Sequence, residues 1–299
     1  MKVLRTSTRI GFATLLAAGL AMVLALTLVS TLSSRGAADD KGVIANLLSN
    51  ALSTPSANVS IGSVDGALSS DSTIHNLSIA DRDGVWLQID KIHLNWTRSA
   101  LLFRKLEVNK LEIGTVTISR RPLPAEQTAA VSDEPILPEL PLKLEIKDFS
   151  LKELTLGQTV VGTAARLSAT GAATLGKPSE GLNLRFDAQR LDAAGTLTAR
   201  LELVPATERL SLKLGVDEPA GGIAAAVLNL PGRPPVKLNL DGAGTLDALD
   251  ASLTFAAGPG IDANGSAQLR RQDATRRLTL NLAAHIEGLL PPVAAPIFS

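Results

Sequence analysis

The sequence predicts a mainly β protein: an N-terminal transmembrane helix, a short second helix, and then a long, curved, repetitive antiparallel sheet that forms an open trough. Three observations carry this prediction. The stretch Ile10–Leu32 has no charged residue. From Val59 onward apolar residues alternate with polar ones over most of the chain. Rings are scarce, with six Phe, two Trp and no Tyr in 299 residues, so the interior of any sheet is lined by flexible aliphatic groups rather than rigid plates.

The first segment sets the compartment. Coiled as a helix, Ile10–Leu32 runs about 35 Å, against a hydrocarbon core of about 30 Å. Lys2, Arg5 and Arg9 precede it, which places the amino terminus in the cytoplasm and exports the remainder. A cleaved signal peptide carries an apolar region of only about 7–15 residues; this stretch is longer, which favours a retained anchor. Residues 1–35 are therefore read as a basic tip and a single-pass span of the inner membrane, with the bulk of the chain in the periplasm.

Residues 36–121 form the next unit. Asp39 and Asp40 suit the amino terminus of a helix over Lys41–Leu52. Val43, Ile44, Leu47, Leu48 and Ala51 make one apolar stripe at helical spacing. Strands begin near Val59. Asp83-Gly84 reads as a hairpin turn. Val85, Leu87 and Ile89 share one face, but Ile92, Leu94 and Trp96 are shifted by one residue, which implies a bulge or a strand break near Asp90-Lys91. A brief helical turn is expected at Ser99–Arg104. Leu106/Val108, Leu111/Ile113 and Val116/Ile118 follow as three short alternating pairs. Residues 122–141 hold Pro122, Pro124, Pro135, Pro138 and Pro141 and read as an extended linker, the one candidate subdomain boundary.

Residues 142–299 repeat a period-two pattern. Leu142, Leu144 and Ile146 begin it. The aliphatic positions that would line a groove are Leu182, Leu184 and Phe186; Leu197 and Leu201; Leu210, Leu212 and Leu214; Val236, Leu238 and Leu240; Leu253; and Leu278, Leu280 and Leu282. Asn, Arg, Asp, Lys, Thr and Ser stand between them. One wet face and one apolar face mark antiparallel strands. Pro219–Pro235 reads as a short helix and a turn. About fifteen such strands in an open sheet must cover their apolar face. A filled sandwich normally carries rings between its layers, and a membrane barrel carries aromatic girdles. Neither is present in the composition, which leaves the trough.

Chemistry for catalysis or cofactors is not expected. The chain has no Cys, which excludes disulfides and thiolate ligands. His75, His93 and His285 are far apart and read as surface strand residues. Gly242 and Gly244 lack the third glycine and the helix of a dinucleotide site. Asp65, Asp71, Asp81 and Asp83 match no calcium loop and read as turn residues. Lys and Arg total 29, as do Asp and Glu, so there is no footprint for nucleic acid. The doublets Arg120-Arg121, Arg270-Arg271 and Arg276-Arg277 read as solvated strand ends, with phospholipid head groups as the alternative. Trp86 and Trp96 are expected to pack beneath the first helix rather than to anchor at a membrane surface.

The segments LLSNALSTPSANVSIGSVDGALSS, TIHNLSIADRDGVWLQIDKIHLNW and LEVNKLEIGTVTISRRP, followed by LKLEIKDFSLKELTLGQTVVG, resemble the amino-terminal part of the TamB family. This is the inner-membrane subunit of the translocation and assembly module, in the AsmA-like group. The resemblance implies a periplasmic β-sheet groove. It implies outer-membrane biogenesis, through intermembrane phospholipid transport or through assembly and secretion of outer-membrane proteins such as autotransporters. It also implies the outer-membrane partner TamA, contacted through a carboxy-terminal domain that this chain, read as truncated, does not include. On chemistry alone an aliphatic trough suits phospholipid, whereas exposed strand edges suit a scaffold that templates other strands.

Overall fold

The computed structural model describes residues 46, 49, 53, 57–66, 69–123, 142–245, 247–272 and 275–286. Thirteen strands form one sheet whose spatial order is the chain order. They are β1 Asn58–Asp65, β2 Asp71–Asp81, β3 Gly84–Thr97, β4 Lys105–Ile118, β5 Lys143–Leu156, β6 Ala165–Leu175, β7 Leu182–Arg190, β8 Thr196–Val204, β9 Arg209–Glu218, β10 Val236–Thr245, β11 Ala248–Ala257, β12 Ile261–Gln272 and β13 Thr275–Ile286. Two short helices interrupt the series: α1 Gln158–Val161 and α2 Ile223–Val227. Stacked at about 4.8 Å per strand, thirteen strands extend about 60 Å.

The first five strands depart from a strict period of two, and they do so together. Val64, Ile74, Ile92, Ile113 and Leu151 lie in one row across the sheet, and Ile61, Leu77, Ile89, Val116 and Leu154 lie in the next. All ten are buried. On each strand two residues separate these rows: Gly62-Ser63, His75-Asn76, Asp90-Lys91, Gly114-Thr115 and Lys152-Glu153. In a flat strand, two intervening residues would turn the second apolar residue to the opposite face. Here both stay on the inner face, so the strands fold along a crease. Asn76 takes the crease with φ 53°, and the Asp90 carboxylate accepts the Thr115 N–H at 2.6 Å beside Gly114. A second crease, Asn109-Lys110 and Lys147-Asp148, runs through β4 and β5 alone. The register shifts on both of its sides absorb it, at Asn95/Trp96 and at Ile146/Phe149.

From β6 to β13 every pairing keeps one unbroken register. The burial pattern changes with it. The inner residues of β1–β5 form one buried cluster that β6 completes with Ala165, Ala169 and Leu175. The inner residues of β7–β12 are mostly half-buried, and those of β13 are exposed.

Several sequence expectations are met. The expected β2–β3 hairpin is present, although its turn is Arg82-Asp83, one residue before the expected Asp83-Gly84, with Gly84 opening β3 at φ 99°. A 3-10 turn covers Arg98–Phe103, and α2 falls inside Pro219–Pro235. Others are corrected. The sheet is not wholly antiparallel, because β4 and β5 pair in parallel, Lys105 opposite Lys143 through Ile118 opposite Leu156. The three short pairs of 106–118 are one strand of 14 residues. The irregularity at Asp90-Lys91 is a crease shared with four other strands, not a break. Trp86 and Trp96 pack as expected rather than projecting from the surface, and the Trp96 indole donates to the Ser69 carbonyl at 3.0 Å; most of the first helix, beneath which they are expected to lie, is outside the described residues.

The expected span Ile10–Leu32 lies outside the described residues, as does most of the 122–141 linker. No helix among the described residues is long and apolar enough to cross a membrane. Of the helix expected over Lys41–Leu52, Asn46 and Ser49 are described and are helical. Ser49 accepts the Ile61 N–H at 3.0 Å, tying that segment to β1.

Candidate functional site

The positions expected to line a groove occupy one face of β7–β13. Cross-strand register places Leu182, Leu203 and Leu210 in one row, which continues through Gly244, Leu249 and Leu269 to Leu278. Leu184, Leu201 and Leu212 start the next, which ends at Leu280. Phe186, Ala199, Leu214, Leu240, Leu253 and Gly265 lead to Leu282. Leu197, Val216 and Leu238 continue into Phe255 of β11. Four neighbouring rows are thus apolar, broken by Gly242, Gly244 and Gly265 and carrying a ring at Phe186 and Phe255. Leu203, Val216, Leu249, Leu269 and Phe255 belong to this face as fully as the residues singled out from sequence, and their place in the same alternating runs is the signal for them. Val236 shares the face but is not open, because α2 covers it and leaves it 1% exposed.

The face opens progressively. Beside β6 it is closed by an aromatic pair: Phe149 and Phe186 stack with centroids 6.5 Å apart and an interplanar angle of 28°. They meet across Gly171 of β6, which pairs with both residues. At the far side Leu278, Leu280 and Leu282 are 58%, 65% and 63% exposed. The apolar face is therefore accessible across β7–β13, whereas in β1–β6 side chains of the same molecule fill the interior.

The opposite face is polar and held by cross-strand ion pairs. Arg200 meets Asp187 at 2.8 Å, Lys213 meets Asp241 at 3.0 Å, Lys237 meets Asp217 at 3.2 Å and Arg270 meets Asp250 at 2.6 Å. Each joins adjacent strands, so each favours the observed register. Exposed pairs of this kind contribute about 0–1 kcal/mol each. On β4 and β5 the parallel register sets Glu107 beside Glu145. Lys105 bridges both carboxylates, and Lys147 also reaches Glu107. Lys105, and then Lys147, hold the Glu107 carboxyl down at about 2.

Charged groups bound the aliphatic band at both strand ends. At one margin Arg190 and Glu218 lie in the row beyond Ala188 and Val216, on the apolar side, and pair at 3.3 Å. At the other, Arg271 and Arg276 share Asp247, at 2.6 and 3.1 Å, and Arg276 reaches Glu208 at 3.4 Å. Arg120 clamps Asp81 at 2.6 Å and Arg121 donates to the Val160 carbonyl at 2.7 Å. The arginines of the doublets at 120–121, 270–271 and at 276 are thus engaged with protein groups rather than merely solvated.

The histidines do not converge. His75 pairs with Asp65 at 3.2 Å, and His285 with Asp262 at 3.5 Å. His93 is held between Asp71 at 2.8 Å and Glu112 at 3.0 Å on the polar face. These two carboxylates, Asp71 first, raise the imidazole above its ordinary value. No group of described residues has the make-up of a metal site.

Residues 45–202 match the family model described as TamB, N-terminal domain. The match covers more than half of the chain, runs from the helical segment before β1 into β8, and includes the whole creased region. No curated protein and no solved structure matches the chain.

Proposed function

The chain belongs to the TamB family through its N-terminal domain, and from that premise we propose that it is an inner-membrane-anchored, periplasmic groove that carries the acyl chains of phospholipid toward the outer membrane. The observation that supports this reading is the run of four apolar rows across β7–β13, half-open on one side and backed by an ion-paired polar face. Each acyl methylene removed from water gains about 0.8 kcal/mol. Leaving a bilayer for such a face exchanges one apolar surrounding for another, so the net change is small. A lining with no deep polar or aromatic pocket along most of its length gives no single resting place, and lipid slides along it. No reaction is required of the protein. The chain would act within the translocation and assembly module, and the outer-membrane subunit TamA would be met by regions other than the described sheet.

Arginine placed singly at Leu184, Leu212 or Leu280 tests the reading. Each guanidinium would stand in the half-open band without entering the packed core, so far-ultraviolet circular dichroism should be retained. Photocrosslinking of phospholipid to the groove should fall sharply, and membrane integrity should suffer. Unchanged crosslinking and integrity would overturn the proposal.

The edge of β13 favours a second reading. Its outer backbone groups have no neighbouring strand among the described residues, and its apolar side chains are exposed. Such an edge suits strand addition by an incoming outer-membrane protein. Purified protein that binds strand-length peptides from outer-membrane proteins, and carries no lipid, would replace the first reading with this one.

A further inference from the structure

The aliphatic band has a blind end and a covered margin. At the blind end the Phe149–Phe186 stack abuts the filled interior of β1–β6. At the margin α2 lies on the apolar face. Its Ala225 has no exposed surface and packs with Val236 and Ala257, while Ile223 reaches the larger core. Two attachments hold it there. Glu218 accepts the Ala224 N–H at 2.5 Å with one carboxylate oxygen and pairs with Arg190 through the other, while Asp192 holds the far side of the same guanidinium with two contacts of 2.8 Å. That pair crosses the start of β8 at Gly195, where a Cβ would stand 2.6 Å from Arg190 Cγ. Ala226 touches Gly162, just past α1, although β6–β9 separate the two helices in the sheet order. The Gly221 N–H donates to the Arg233 carbonyl at 2.8 Å, which closes the base of the 219–235 segment and makes it one unit.

Among the described residues of β7–β10, Arg190 and Glu218 are the charged side chains on the aliphatic face. The attraction within a buried ion pair is largely offset by desolvation, and a phosphate offers an arginine the same charge-assisted contact as a carboxylate. From the row of Arg190 to the row of Leu182 is eight residues, about 26 Å of strand. One leaflet's acyl chain spans about 15 Å, half of a hydrocarbon core. A chain lying along the strands therefore fits inside the band with its phosphate at the charged margin.

We propose that residues 219–235 are a lid over a lateral gate, latched by Arg190–Glu218, through which phospholipid enters the band beside β7–β10, its phosphate taking the place of Glu218 on Arg190. The proposal rests on the acyl-groove reading above. It differs from that reading in placing entry at one margin and in denying passage through β1–β6.

The chain has no Cys, so a G162C/A226C pair gives a lock specific to this contact. A Cβ at Gly162 would stand 3.1 Å from Ala226 Cβ, about 0.7 Å short of the usual disulfide separation of about 3.8 Å, so the two segments must move slightly apart to form the bond. Gly162 has φ 85°, and the reduced state of the same variant carries any strain that this introduces. The measurement is the rate at which the full chain, held in nanodiscs, takes up fluorescent phosphatidylglycerol from vesicles. Oxidation should slow uptake by about tenfold, as expected when a gating step is blocked, and reduction should restore it; the wild type should ignore both treatments. Glu218→Gln, which keeps an acceptor for the Ala224 N–H but removes one of the two carboxylates facing Arg190 and leaves Asp192 in place, should take up lipid faster. Equal uptake by the oxidised and reduced pair would overturn the lid and leave the groove standing. Lack of uptake by the wild type and by both states of the variant would end the groove reading and the lid with it.

Discussion

The creased strands β1–β5 and the uncreased strands β7–β13 are built from the same kind of residue and do opposite things with it. Both present Leu, Ile and Val on one face and polar groups on the other. In β1–β5 an extra residue at a shared position bends every strand, and the apolar face closes on itself. In β7–β13 the alternation is strict, the strands stay straight enough to leave the face accessible, and exposure rises toward β13. The lesson is that composition sets which face is apolar, whereas one residue of spacing decides whether that face becomes a core or a surface. β6 is the joint. It lacks the extra residue, the register jumps between it and β5, and beyond it the pairing is unbroken.

Matched truncations give the sharpest test of this contrast. Leu77 is 2% exposed at the heart of the creased region, and Leu280 is 65% exposed at the open end. Leu77→Ala should destabilise the protein by about 2–5 kcal/mol, the range for a cavity in a packed core. Leu280→Ala should stay within about 0.5 kcal/mol, as for a surface site. Urea unfolding midpoints read both values. Equal losses would mean that the two faces are packed alike, and the comparison would fail.

Much of this organisation was legible in the sequence. The strict alternation after residue 180 predicts the aliphatic face of β7–β13 residue by residue, because a period of two maps directly onto a sheet face. The shift at Asp90-Lys91 is also visible. Its meaning was not, since a single strand shows only a slip. That β1, β2, β4 and β5 slip at the same level appears only when register is known. The parallel β4–β5 pair was hidden for a related reason: pairing direction is set by a connection through proline-rich sequence, not by the pattern within either strand. In hindsight KLEV at Lys105–Val108 and KLEI at Lys143–Ile146, which lie side by side, are the trace of it. The Arg190–Glu218 pair was concealed by distance, 28 residues along the chain and brought together across β8.

The crease has its own test, smaller in size. Asn76 adopts φ 53° and is exposed, so it contributes conformation rather than burial. Asn tolerates this left-handed region, but a β-branched residue does not. Asn76→Val should cost about 1–2 kcal/mol, and Asn76→Gly should remain within about 0.5 kcal/mol of the wild type. The same exchange at Asn239, in the regular strand β10 and exposed on the polar face, should show no such penalty, because Val favours extended backbone. A Val at position 76 that is tolerated as well as one at 239 would show that the crease is not fixed by backbone preference.

The smallest expected effect is on pH dependence, and it too belongs to the creased region. Asp71 and Glu112 raise the folded-state pKa of His93 above the ordinary 6.5. A group raised on folding stabilises fully below its unfolded value, and that contribution is lost as the pH climbs through the folded value. Stability should therefore decline from about pH 6.5 upward, and His93→Gln should remove the decline. On the acid side Glu107 behaves in the opposite sense. It is held at about 2 by Lys105 and Lys147, so its contribution is present above its ordinary value of 4.5 and disappears as the pH falls toward 2. The creased region should be most stable between these limits, roughly pH 4.5 to 6.5. Melting temperatures recorded from pH 3 to pH 9 on the wild type and on His93→Gln decide the matter. A decline above pH 6.5 that persists in the variant would assign it to another group and detach His93 from the stability of the closed strands.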